Sequence, residues 1–220
     1  MKARHERGLT TLVVLEAVAL FVVAPLSAKG AAPLAVDVGV AVAIVASVLA
    51  VVWRSRAAVA AVILAASVEL IANALRIARP SERTEALDFA AALILLVALT
   101  VVLGIAVFGP GRVTIHRILG AIAIYLNTAA AFALAYRVID TLGPAAFTSG
   151  GAGSQDHAIP ALIYFSFATL TTSGYGDIVP LDPFARSLAN LEAVIGQLFP
   201  ATLLARLITL ELETRRRPPE

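Results

Sequence analysis

Two glycines set one residue apart, Gly174 and Gly176, sit inside the run Thr171-Thr172-Ser173-Gly174-Tyr175-Gly176-Asp177. Glycine has no Cβ, so both positions accept backbone torsions that other residues resist. With Thr172 adding a side-chain oxygen at one end, such a run can aim several carbonyls and a hydroxyl at one axis. The chemistry open to a row of oxygens is cation dehydration, in which each oxygen replaces a water of the ion's shell. Tyr175 then points away from the axis and braces the loop. Other chemistries lack their residues. The absence of cysteine excludes a disulfide framework and a thiolate metal site. His5, His116 and His157 are scattered, and no zinc-ligand pair, nucleophile elbow or phosphate loop occurs. The chain is therefore read as a non-enzyme with no cofactor and no nucleic-acid partner.

A loop of this kind needs rigid supports on both sides, and the flanks supply them. Ile159 to Leu170 is an apolar, aromatic-bearing run of pore-helix length, and Ile178-Val179-Pro180 leads into a long apolar helix over Pro183–Leu210. By these residues the segment resembles the P-loop of tetrameric potassium channels. The resemblance implies a filter over residues 171–177, with K⁺ as the permeant ion held at Thr172, Ser173, Gly174 and Tyr175 and continued by Gly176. It also implies support of the filter by Thr171, Asp177, Tyr164 and Phe165. One chain carries one filter motif, so a closed pore implies three further copies in a homotetramer.

Three departures stand out. Ser173 occupies a position where relatives have Val or Ile; its carbonyl can still face an ion, but its side chain packs less well and can bond locally. Tyr164 and Phe165 stand where tryptophans are frequent, which loosens the cuff around Tyr175. Ala168 replaces an acid that some relatives place behind the filter.

Composition agrees with a membrane protein: 60% of residues are hydrophobic, 15% are charged, and the mean hydropathy is +0.89. The chain reads as an all-α membrane protein of two units. Residues 1–108 form a four-helix membrane domain with spans near 9–28, 34–53, 57–77 and 86–108, each long enough for a bilayer core. Gly109-Pro110-Gly111 is a linker that breaks the helix. Residues 112–211 form a pore unit: an outer helix over 112–138, a Gly/Ser-rich turret of little order over 140–157, the pore helix over 159–170, the filter over 171–177 and the inner helix over 183–210. Residues 212–220 are a basic tail. This is similar to the six-helix layout of prokaryotic-type potassium channels; the motif-level likeness covers Arg112 to Leu210, and the first four helices match in number and length only.

Charge placement gives an orientation. With the N-terminus inside, ten of the 17 Lys and Arg residues lie at cytoplasmic ends and six at outer loops, Arg206 lying within the last helix. That bias puts both termini in the cytoplasm of a multi-pass plasma-membrane protein. Arg215, Arg216 and Arg217 are then placed to meet anionic lipid head groups or to anchor the topology.

Two further groups carry expectations. In the inner helix, Gly196 lies nineteen residues after Asp177, and Pro200 deprives the Gly196 carbonyl of its helical partner. The pair reads as a gating hinge or as a static kink that shapes the cavity. Glu192 is expected to face the pore helix or a neighbouring subunit. In the third span, Glu69, Asn73 and Arg76 share one helical face and form either a proton- or ligand-responsive site or an interhelical hydrogen-bond cluster, with Glu16 as a candidate partner. The fourth span carries no Lys or Arg from Ala86 to Phe108, so voltage sensing by an arginine series is not expected. The readings carried forward are a potassium-selective channel, a weakly selective K⁺/Na⁺ channel, and a non-conducting regulatory subunit that keeps the pore fold.

Overall fold

A computed structural model describes residues 2–29, 45, 55–108, 115–143, 146–149 and 159–216. The expected second span near 34–53 and the linker 109–111 lie outside the described residues, apart from Val45. The first helix, α1, runs over Lys2–Val18, passes through a π-helical turn at Ala19–Val23 and closes with an α-helical turn over Ala24–Ala28. The wide turn sits where Pro25 leaves the Phe21 carbonyl without its usual donor.

Helix α2 (Arg56–Ala78) starts where the Ser55 hydroxyl accepts from the Ala58 N–H at 3.2 Å. Helix α3 (Glu82–Phe108) starts with a reciprocal cap: the Thr84 N–H donates to Ser81 Oγ, and the Ser81 N–H donates to Thr84 Oγ1. Glu82 and Glu85 in its first turn meet the positive end of the helix dipole. Helix α4 (Ile115–Leu142) follows, then strand β1 (Phe147–Ser149), helix α5 (Ile159–Leu170), strand β2 (Ile178–Pro180) and helix α6 (Pro183–Arg216).

Among the described residues, four helical stretches are long and apolar enough to cross a membrane: Arg56–Ala78, Glu82–Phe108, Arg117–Leu142 and Pro183–Arg206. Thr10–Leu26 and Ile159–Leu170 are apolar but shorter.

Among the described residues, two apolar cores organise the fold. In the first, Leu12 of α1 and Val62 of α2 meet Leu99, Val102 and Leu103 of α3 and Ala121 and Ile124 of α4. In the second, Ala133 and Tyr136 of α4 meet Phe147 of β1, Leu162 and Phe165 of α5 and Ala185 of α6. Helix α4 belongs to both and joins them.

The region expected to be a turret of little order differs from that reading at two places. Helix α4 continues past Asp140 to Leu142, and Phe147–Ser149 pairs antiparallel with Ile178–Pro180, Thr148 opposite Val179. Phe147 explains the order: its ring is buried edge-on against Tyr136 and Phe165, so the strand is anchored by apolar contact as well as by its ladder.

Candidate ion-conduction site

The stretch between α5 and β2 has an alternating backbone. Thr172, Gly174 and Gly176 have positive φ (57°, 55° and 77°), whereas Ser173 and Tyr175 do not. Reversing the backbone hand at every second residue turns successive carbonyls toward one side, the geometry that a row of coordinating oxygens needs. A Cβ added at Gly174 or Gly176 would meet nothing within 4 Å, so torsion and not space demands glycine there. Thr172 takes the same hand although it is β-branched, which is strained.

The end of α5 holds this stretch. The Thr171 and Thr172 N–H groups donate to the Phe167 and Thr169 carbonyls, and the Gly174 N–H donates to the Ala168 carbonyl at 3.1 Å. The Thr171 hydroxyl donates to the Phe167 carbonyl at 2.6 Å. Ser173 does bond locally, but to the Thr171 hydroxyl at 3.0 Å and not to the backbone. Beyond the stretch, Asp182 caps α6 by accepting from the Phe184 and Ala185 N–H groups, with Pro183 at the first helical position.

The two rings expected beside Tyr175 part company. Tyr164 stacks on Tyr175 with centroids 5.9 Å apart and planes 9° from parallel, and its hydroxyl lies near the Asp177 carboxylate. Phe165 lies instead in the second core, edge-on to Tyr136 and Phe147. Adjacent helical residues diverge by about 100°, so both cannot face one ring.

Behind α5 lies a polar knot that sequence reasoning only half anticipated. Glu192 is fully buried, accepts a hydrogen bond from the Tyr136 hydroxyl at 2.6 Å and meets the Ser166 hydroxyl on its other oxygen. Ser166 also reaches the Ala129 carbonyl at 2.7 Å. One carboxylate thus ties α4, α5 and α6 together. Of the two orientations expected for Glu192, it takes the one toward the pore helix.

Gly196 has a reason beyond bending. A Cβ built there would lie 1.8 Å from the Leu170 carbonyl oxygen, the end of α5. The glycine lets the backbone of α6 pass directly against the last turn of α5. Pro200 stands within α6 four residues on. Next to Gly196, the Gln197 amide donates to the Thr172 hydroxyl at 2.9 Å.

In the first half of the chain, Glu69, Asn73 and Arg76 do line one stripe of α2, half-buried beside the buried Val62, Ala65 and Ala72. Arg76 pairs with Asp88 of α3 at 2.9 Å. Glu16 is not the partner of this group: it lies buried against Asn127 of α4, because α1 packs on α4. At the same end of α3, Glu85 pairs with Arg137 of α4 at 2.7 Å. Arg206 of α6 donates to the Phe108 carbonyl at 2.6 Å and covers the Phe108 ring, closing the C-terminal end of α3.

Comparison with known proteins agrees with the geometry. Residues 121–212, from within α4 to within α6, match a family model described as ion channel. The chain is 38% identical over 79 residues to an inward rectifier potassium channel, Kirbac3.1, of Paramagnetospirillum magnetotacticum, covering 34% of this chain and 23% of that one. It is 45% identical over 49 residues to the potassium voltage-gated channel protein shk-1 of Caenorhabditis elegans, covering 22% and 9%. Protein LctB of Bacillus caldotenax is 33% identical over 87 residues, covering 38% and 64%. Each match spans less than two thirds of the relative's own length. No solved structure matches the chain. Residues 121–212 are thus similar to an ion-channel domain, and that likeness, with the long apolar helices, points to a membrane transport protein rather than an enzyme.

Proposed function

We propose that four copies of the chain form a potassium-selective channel, with Thr172, Ser173, Gly174, Tyr175 and Gly176 of each copy lining one filter. The observation that carries this reading is the alternation of positive φ at Thr172, Gly174 and Gly176. Supporting it, the whole stretch 171–177 is exposed in the single chain, Tyr175 by 71%, as are Leu191, Val194 and Leu198 of α6. An apolar stripe beside an unpartnered filter is the face that other copies would cover.

Residues 1–108 form the four-helix membrane domain, residues 112–211 the pore unit, and both termini lie in the cytoplasm of a plasma-membrane protein. K⁺ passes down its gradient, needs no cofactor, and exchanges hydration water for carbonyls at Thr172 to Tyr175. Opening is not driven by an arginine series. Gly196 and Pro200 form the bending point of α6, and Arg215, Arg216 and Arg217 meet anionic lipid. A relaxed K⁺/Na⁺ discrimination is the second reading, and the hydroxyl pair Ser173–Thr171 behind the filter favours it.

The test is cation flux into liposomes carrying the purified protein, comparing K⁺ with Na⁺ in wild type and Gly174→Asp. Potassium flux that the substitution abolishes supports a working filter. Equal fluxes of both ions support the relaxed reading. No flux of either ion, across pH and voltage, refutes both and leaves a non-conducting subunit.

A further inference from the structure

The hydrogen bond from Gln197 to Thr172 joins the inner helix to the cytoplasmic end of the filter stretch. We propose that Gln197 is a selectivity-determining residue, whose amide orients the Thr172 hydroxyl at the innermost cation site. The inference rests on the channel reading above.

Three observations carry it. First, the position of Gln197 is fixed from below: the neighbouring Gly196 lies against the Leu170 carbonyl, so the amide projects from a backbone already docked on α5. Second, the donor and acceptor, Nε2 and Oγ1 at 2.9 Å, are both on the exposed face of the chain. That face turns toward the axis of the proposed tetramer, where a side chain acts on ions and not on core packing. Third, the adjacent Thr171 hydroxyl, paired with Ser173 and not with an amide of α6, folds back onto the Phe167 carbonyl at 2.6 Å.

The chemistry follows from the hydroxyl's inventory of one proton and two lone pairs. Accepting from Gln197 occupies one lone pair and stops rotation about the Cα–Cβ bond. The second lone pair is left for a cation on the axis. The amide also braces Thr172 in its positive-φ conformation, which a β-branched residue does not hold unaided. Four such amides form a ring directly beneath the filter. Without them the hydroxyls turn away, and the innermost site loses oxygen ligands that distinguish a large cation from a small one.

The experiment uses the full chain in liposomes, measuring K⁺ and Na⁺ flux and inhibition by Ba²⁺, a dication of nearly the radius of K⁺. Gln197→Leu removes the donor; Gln197→Met, closer in length, takes its place if the leucine variant does not assemble. Either variant is expected to lower the K⁺/Na⁺ flux ratio and to weaken Ba²⁺ inhibition by about fivefold, the factor of one net hydrogen bond. In a Thr172→Val background, which has no hydroxyl to orient, the same substitution is expected to change neither. A wild-type ratio and Ba²⁺ sensitivity in the Gln197 variants overturn the inference while the channel reading stands. A shift of equal size with and without the Thr172 hydroxyl also overturns it. A wild type that conducts neither ion removes the channel reading and the inference together.

Discussion

Glu192 and Glu16 are both buried inside helices that face α4, and they are bonded in opposite ways. Glu192 meets two hydroxyls, one on each carboxylate oxygen, from Tyr136 and Ser166. Glu16 lies close enough to Asn127 for a weak polar contact, but among the described residues neither of its oxygens nor the Asn127 Nδ2 makes a hydrogen bond of normal geometry. A buried polar group that is satisfied fixes the elements it touches, and one left unsatisfied costs stability. The same residue type is therefore a three-helix tie in the pore half and a weak joint between α1 and α4. The proposed filter needs its supports immobile, and the second half of the chain supplies that by hydrogen bonding and by close backbone contact.

The largest effect that would sharpen this contrast comes from Gly196→Ala. The new Cβ collides with backbone that cannot swing aside, so the pore half is expected to lose about 3 kcal/mol or more. Melting of the detergent-solubilised protein reads this out. Pro200→Ala separates the two roles of the neighbouring glycine: it restores a helical donor and is expected to leave the melting temperature unchanged or higher. A Gly196→Ala protein as stable as wild type would contradict the close-contact account and leave only the bending role.

Next comes Glu192→Ala, which strands the buried Tyr136 hydroxyl and is expected to cost about 2–3 kcal/mol. Tyr136→Phe should cost about 1 kcal/mol alone and much less in the Glu192→Ala background, a coupling that a double-mutant cycle measures. Independent, additive losses would break the picture of a single knot. The smallest effect is expected at Glu16→Leu, with no loss of stability or a gain of up to about 1 kcal/mol. A loss as large as that of Glu192→Ala would show that Glu16 is as well bonded as Glu192, and the contrast would fall.

What could be read in the sequence follows from how local each cause is. The torsions of residues 171–177 were legible because Gly174 and Gly176 mark them directly, although the same hand at Thr172 was not. A shared face for Glu69, Asn73 and Arg76 followed from helical spacing, whereas the pairing of Arg76 with Asp88 depends on how α3 docks. The roles of Tyr164 and Phe165 could have been separated: Leu162, Phe165 and Ser166 recur at helical spacing and form the buried stripe of α5, which turns Tyr164 elsewhere. The partners of Glu192 could not, since Ser166 lies 26 residues away and Tyr136 lies 56. Strand Phe147–Ser149 was hidden for the same reason, three residues in a Gly/Ser-rich loop ordered by a distant ladder. Gly196 invited a hinge reading because glycine and proline share one turn; only the docked α5 reveals the carbonyl against it.

The most direct test of the central claim is the reversal potential of the wild-type protein in a planar bilayer, with K⁺ on one side and Na⁺ on the other. The account predicts reversal strongly displaced toward the potassium equilibrium potential. Reversal near zero, or no current under any condition that leaves the protein folded, would contradict a potassium-selective filter at Thr172 to Gly176.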